Sequence, residues 1–438
     1  MHRVISFFFF FSLQTSAFLQ TLYFPPTTGS EWQKIDPKEL GWCEDNIQDL
    51  ESFLALKETK GYIVLKDGKI VLEKYFGTFT KDSLWYWASA GKTMTAFMVG
   101  IAQAEGKLSI DESTSNYLGK GWTSLTEDHE NKILIRHQLT MTTGLDDGVV
   151  NKDCTLPSCL IRKAEPGTRW AYHNAPYTLL DKVVETAVGK TYNQYFQEKI
   201  RNKTGMNGLW IKSGYNNVYV SNLRSMARFG LLLLNKGVWA GNAINQDSTW
   251  FRKQIQSSQQ LNPSYGYLTW LNGQGRYMLP ESQLVFSGSM VSNAPDDMFA
   301  ALGKNDQKIY VVPSLGLVVV RMGNDGGGPA GINSFDNLFW QKINALTCSS
   351  GLAKEETSFS AIFPNPVHSG QPVLLGAEWR DMKELQLLDG SGNLLFSGSG
   401  VALQENFSGL QLASGIYFFA GVDAGGKMRL ARWVVLQE

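Results

Sequence analysis

Trp87-Ala88-Ser89-Ala90-Gly91-Lys92-Thr93-Met94-Thr95-Ala96-Phe97 is the stretch on which the fold turns. The run Met94, Ala96, Phe97, Met98, Val99, Ile101, Ala102 and Ala104 predicts a buried helix of four turns, with a stop signal at Gly106. Residues three apart share a helix face, so Ser89 and Lys92 would present hydroxyl and amine side by side in its first turn. A helix N-terminus offers unpaired N–H groups and a positive partial charge. An oxyanion is favoured there and a neighbouring ammonium loses its proton more readily, which is what a serine nucleophile needs. Ser-x-x-Lys alone is common by chance. Gly91-Lys92-Thr93 copies the end of a phosphate-binding loop, but the first glycine of that motif would fall on Tyr86.

Outward from this stretch, Cys43 to about Lys60 reads as an amphipathic helix. Tyr62–Leu65 and Ile70–Tyr75 read as a hairpin across Asp67-Gly68. Helices follow at Tyr177–Val188, about Thr191–Ile200, and Ser225–Asn235. Ser264–Leu271 alternates aromatics like a strand beside a cleft. Short strands at Leu284–Phe286 and Met298–Leu302 precede a hairpin of Ile309–Val312 with Leu317–Met322. A Gly-rich loop at Gly323–Gly331 leads to a closing helix at Ile332–Leu346. The economical architecture is α+β: an antiparallel sheet built from both chain ends, flanked by helices, with an inserted helical region and the site at the seam.

The 438 residues carry 40 basic and 40 acidic side chains, so no charge excess argues for nucleic acid. The 13 Trp and 16 Tyr serve cores and also line clefts for small organic ligands; Trp87, Trp170, Tyr265, Tyr267 and Trp270 are candidates. His2-Arg3, an apolar run through Phe7–Phe11 and small residues at Ser16-Ala17 have the order of a secretory signal peptide over 1–19, which implies an exported protein. Four cysteines suit an oxidising compartment. Cys154 and Cys159 are spaced to close a small loop, and Cys43 can meet Cys348 if the first and last helices pack together. Three pairings exist, and sequence alone does not choose. No Cys or His spacing suggests a metal, and no cofactor is implied.

Ser89-Ala90-Gly91-Lys92 followed by Tyr172-His173-Asn174 resembles the Ser-x-x-Lys and Tyr-x-Asn pair of serine β-lactamases and penicillin-binding proteins, over roughly residues 25–347 of a domain that spans 20–347. The tyrosine points to the branch of class C β-lactamases, DD-peptidases and esterases. The resemblance implies an acyl-enzyme on Ser89, with Lys92 as general base and Tyr172 as phenolate or proton relay. It also implies Asn174 as an amide donor orienting Lys92 or a substrate carbonyl. The third family element, Lys/His-Thr-Gly, falls on Ala301-Leu302-Gly303. The cation that would hold a substrate carboxylate is missing. Gly303 still admits close approach, and the backbone N–H groups of Ser89 and Lys304 would form the oxyanion hole. With Gln307 following, the pattern is more similar to 6-aminohexanoate-dimer hydrolase and related esterases. The expected substrate is a small-molecule or peptide-like amide or ester. The alternatives are a DD-peptidase or β-lactamase acting on cell-wall peptides or β-lactams, and a penicillin-binding relative that has lost turnover.

Residues 348–357 read as a linker, and 358–438 as a small all-β sandwich with strands at Pro372–Leu375, Leu385–Leu388, Asn393–Phe396, Gly415–Ala420 and Met428–Leu436. Phe363-Pro364-Asn365-Pro366, Leu385 to Gly392, Leu412 to Tyr417 and Gly426-Lys427 resemble, in order, the C-terminal sorting domain of type IX secretion. That resemblance implies the type IX machinery as a partner and a secreted or cell-surface location.

Overall fold

Asp67 and Gly68 both have positive φ, 50° and 84°, the combination a type I′ turn requires. In the computed structural model, six strands therefore start from the expected hairpin: β1 (Thr59–Lys66), β2 (Lys69–Tyr75), β3 (Trp270–Leu271), β4 (Phe299–Gly303), β5 (Gln307–Val312) and β6 (Leu317–Gly323). They form one antiparallel sheet in the order β2-β1-β6-β5-β4-β3. The structure describes residues 22–326 and 333–348, and of the C-terminal segment 362–363, 367–368, 374–382, 384–389, 393–406, 412–422 and 428–436. Residues 1–19, read above as a signal peptide, the linker residues 349–357 and much of the Gly-rich loop lie outside the described residues.

The central strands are buried on both faces, so their sequences run apolar without alternation, as in Ile309–Val312 and Val318–Val320. Ile309 and Val318 face helix α4 (below), while Lys308 and Tyr310, one residue out of phase, reach the opposite face. The main helices are α1 (Glu44–Leu56), α2 (Gly91–Ala104), α3 (Leu180–Val188), α4 (Leu223–Leu234) and α5 (Asn333–Asn344). Gly230 lets α4 lie close to the sheet, because a Cβ there would collide with Val318. On the other face Asp336 of α5 accepts from Lys308 at 2.9 Å and from the Tyr310 hydroxyl. The α1 and α5 helices pack through stacked Phe53 and Phe335, and Cys43–Cys348 closes them covalently; Cys154–Cys159 is the second disulfide.

Three expectations change. The first helix ends at Leu56, since Glu58 turns to φ 53° and Thr59 already pairs with Gly323. Tyr177–Val188 is not one helix: Asn174–Thr178 and α3 are separate pieces. Of Ser264–Leu271 only Trp270–Leu271 is strand, because Leu268 takes φ 48° and the chain doubles back, bridging Tyr265 to Trp270.

The chain divides into units at Cys348 and Ser349. In the second, Val367–His368, Met428–Leu436, Gly415–Val422, Glu384–Asp389 and Leu394–Gly398 form a five-stranded sheet in that order. One face, with Leu385, Leu387, Phe419 and Trp433, packs on Trp379 and Leu403. These belong to short helices, Ala377–Arg380 and Gly400–Asn406, which the strand reading missed. Both carry few residues with helical periodicity.

Candidate active site

Trp85–Tyr86 pairs with Val220–Ser221, and buried Trp87 donates Nε1–H to Ser221 Oγ at 2.8 Å. Ala88 then adopts φ 47°, a costly conformation for a residue with a Cβ. Ser89 lies in the 3-10 turn Ala88–Ala90, just ahead of α2 instead of inside its first turn. The geometry expected of the pair survives, with Lys92 Nζ donating to Ser89 Oγ at 2.8 Å.

Lys92 is 4% exposed. Burial brings its amine down to about 7, against a smaller upward pull from Asp153. Its Nζ lies 4.2 Å from the Tyr177 ring centroid and 5.1 Å from that of Tyr172. Burial pushes the Tyr172 phenol well above its usual range, a rise opposed by a hydrogen bond with Ser89. Burial thus favours the neutral phenol, and with it the proton-relay reading of Tyr172 over the phenolate. Its ring stacks on Trp270 at 5.7 Å and meets Tyr265 edge-on at 6.1 Å. Trp170 packs behind them, whereas Tyr267 packs on Trp250 and Trp87 on Tyr219.

A cleft of about 610 Å³ brings together Ser89, Tyr172, Asn174, Trp270, Gly303 and Lys304. A larger cavity, about 780 Å³, lies by Phe76, Phe79 and Trp85, but among the described residues its lining holds no nucleophile paired with a base, so the smaller one is the candidate site. A Cβ on Gly303 would collide with the Trp87 carbonyl, so only glycine lets the end of β4 close against the Ser89 turn. Lys304 opens a tight turn in which Asn305 and Asp306 have φ 58° and 55°. Asn305 Nδ2 donates to the Tyr86 hydroxyl at 2.7 Å, and buried Gln307 donates to the carbonyls of Asn305 and Gly323, each at 2.7 Å. The tip of this hairpin is pinned beside the serine.

Two expectations are revised at the site. Ala301 is buried in β4 and outside the cleft, where Leu302 supplies an apolar wall. Asn174 lies in the cleft, but its Nδ2 donates to Asp153 Oδ1 at 2.8 Å and not to Lys92. A carboxylate is the stronger acceptor partner for an amide N–H. Asp153, Tyr177 and the Lys152–Glu281 ion pair (2.9 Å), whose two side chains line the cleft, escaped the sequence reading. The one available signal was that Lys152 and Asp153 immediately precede a cysteine in the loop before Tyr172.

The beta-lactamase family model matches residues 61–336. An uncharacterized protein of Alkalihalophilus pseudofirmus is 25% identical over 325 residues, covering 65% of this chain and 89% of its own length. Among solved structures, a protein assigned as a 6-aminohexanoate-dimer hydrolase from Bacillus anthracis superposes with TM-score 0.56 at 18% identity, covering 74% of this chain and 87% of that one. The β-lactamase/D-alanine carboxypeptidase from Pseudomonas syringae gives 0.51 at 16% identity, covering 69% and 98%. At these identities the two structures speak for the fold.

Proposed function

Starting from the premise that the chain belongs to the beta-lactamase family, we propose that it is an exported serine hydrolase that cleaves an amide or ester through an acyl-enzyme on Ser89. The observation that carries this reading is the buried amine of Lys92, 2.8 Å from Ser89 Oγ. Neutral Lys92 takes the serine proton as Oγ bonds to the substrate carbonyl carbon. The backbone N–H groups of Ser89 and Lys304 hold the resulting oxyanion. The Tyr172 phenol gives its proton to the departing amine or alkoxide and is reprotonated from Lys92. Water then enters where the leaving group left, and the same groups run the transfer in reverse to free the acid.

The apolar wall at Leu302 favours acyl groups without a carboxylate, as in the esterase branch, over β-lactams and cell-wall peptides, with Lys304 in the same lining as the substitute cation of the alternative reading. In a screen of p-nitrophenyl esters, short linear amides and nitrocefin, esters and amides are turned over and nitrocefin is cleaved at least about 100-fold more slowly. Efficient nitrocefin hydrolysis would move the assignment to the β-lactamase reading.

Residues 1–19 as a signal peptide and 358–438 as a type IX sorting domain are part of the same proposal. Their support is the order of the motifs, the separate C-terminal unit and the two disulfides. A chain lacking 358–438, expressed in a host with that machinery, stays active but is retained in the periplasm. Its appearance in the medium at the full-length level would refute the sorting role.

A further inference from the structure

The turn from β4 to β5 holds two consecutive residues in the left-handed region, Asn305 at φ 58° and Asp306 at φ 55°, and neither is glycine. Asn and Asp tolerate this region better than most residues, but they stay there only where their surroundings hold them. Asn305 is held by its side chain, which donates to the Tyr86 hydroxyl, and its carbonyl accepts from Gln307 at 2.7 Å. The Asp306 carbonyl accepts from Arg321 Nη1 at 2.9 Å. The Asp306 carboxylate spans two segments. Oδ1 pairs with Lys308 Nζ on β5 at 3.1 Å, and Oδ2 accepts from the Gly326 N–H at 3.0 Å, in the loop that follows β6.

Lys308 is buried, although it lines the cleft together with Lys304, Asn305 and Asp306. A buried ammonium needs anionic partners. Lys308 has two, Asp306 and the buried Asp336 of α5, the latter at 2.9 Å. With its charge met by both, it is no cation for a substrate acid. It is instead a fixed point on β5 and α5 to which the turn is tied. Lys304 begins that turn, and Gly303 before it lies so close to the Ser89 turn that a Cβ would collide with the Trp87 carbonyl. Whatever holds Asp306 holds the backbone that faces the serine.

Resting on the acyl-enzyme reading above, we propose that Asp306 is a positioning residue for the oxyanion hole: clamped between buried Lys308 and the Gly326 N–H, it keeps the backbone N–H of Lys304 aimed at the oxygen of the reacting carbonyl. Asp306 touches no reacting atom in this role and acts through the backbone two residues away. A donor fixed in advance needs no reorganisation as charge develops on the oxygen.

The test uses the purified full chain and a p-nitrophenyl ester. Asp306→Asn keeps a side chain suited to the left-handed conformation and removes the charge that binds Lys308. It lowers kcat about 10- to 100-fold, the scale of a misplaced or lost oxyanion donor. Acylation and deacylation both pass through an oxyanion, so KM stays nearly unchanged. The infrared carbonyl band of a slowly hydrolysed acyl-enzyme moves to higher wavenumber, because its oxygen is less strongly hydrogen-bonded; a mere loss of folded protein does not move that band. Lys308→Met combined with Asp336→Asn removes the ammonium together with one of its carboxylates and frees Asp306 Oδ1. It produces the same two changes, and adding Asp306→Asn lowers kcat by less than about threefold more. Unchanged kcat in Asp306→Asn overturns the inference. So does a fall in kcat with the carbonyl band unmoved, or losses that multiply in the combined variant. In each of those cases an acyl adduct on Ser89 of the wild type, found by mass spectrometry, keeps the hydrolase reading standing. Absence of that adduct defeats both.

Discussion

Ser89→Ala leaves a folded chain whose turnover of an activated ester falls by about 10⁴- to 10⁶-fold, the range seen when a nucleophile is removed from a concerted unit. The magnitude follows from what each neighbour can do without it. Lys92 is placed to take a proton from Oγ, and Tyr172 bonds to the same hydroxyl. Among the described residues Lys92 Nζ is hydrogen-bonded to no other hydroxyl, so the remaining rate comes from oxyanion stabilisation and binding. Folding survives because the hydroxyl is a small, partly accessible group and alanine tolerates the 3-10 turn. The left-handed turn that aims residue 89 is made by Ala88, which is untouched. Initial rates, with circular dichroism and a thermal melt as controls, check this. A variant retaining more than a tenth of wild-type turnover would falsify the assignment of the nucleophile.

The parts of the fold legible in the sequence were those with local causes. Asp67-Gly68 demanded its turn, the apolar run after Ser89 demanded a buried helix, and Gly106 ended it. The closing helix was readable from its periodicity, and its packing on the first made the Cys43–Cys348 pairing geometrically available. What was not legible depended on contacts between distant segments. The aromatics of Ser264–Leu271 alternate because Tyr265 and Trp270 both pack against Trp170, and not because the stretch is a strand. Asp153 carries no spacing signature. Its place beside Asn174 is set by a loop whose course is fixed only once Cys154–Cys159 and Lys152–Glu281 have formed. Ser89, Lys92 and Tyr172 were visible because chemistry constrains their types and spacing. Asp153 only bonds to a neighbour of these groups and leaves no such mark.

Lys92→Met separates activity from stability with opposite signs. Removing the base lowers kcat by about 10²- to 10⁴-fold, the usual contribution of one general acid–base group. In the wild type, kcat/KM rises with pH through about 7, where buried Lys92 releases its proton, and then levels, because burial keeps the Tyr172 phenol protonated well beyond that point. The methionine variant loses this limb. Stability runs the other way. The folded amine titrates near 7, far below its ordinary value of 10.5. Between those two values the unfolded chain holds a proton that the folded chain has released, so wild-type stability rises with pH across that window. Below about 7 both states are protonated and the folded state bears the whole cost of a buried ammonium. Methionine fills nearly the same volume without a charge, so at pH 6 the variant melts about 3–8 °C higher than the wild type, and the gap narrows as pH is raised toward the lysine's ordinary range. Melting curves of both proteins from pH 6 to 10 carry the test. A variant that melts lower than wild type at pH 6 would mean that the ammonium is paid for by its partners, Ser89, the Tyr177 ring and Asp153, and that Lys92 is no base held at a depressed pKa.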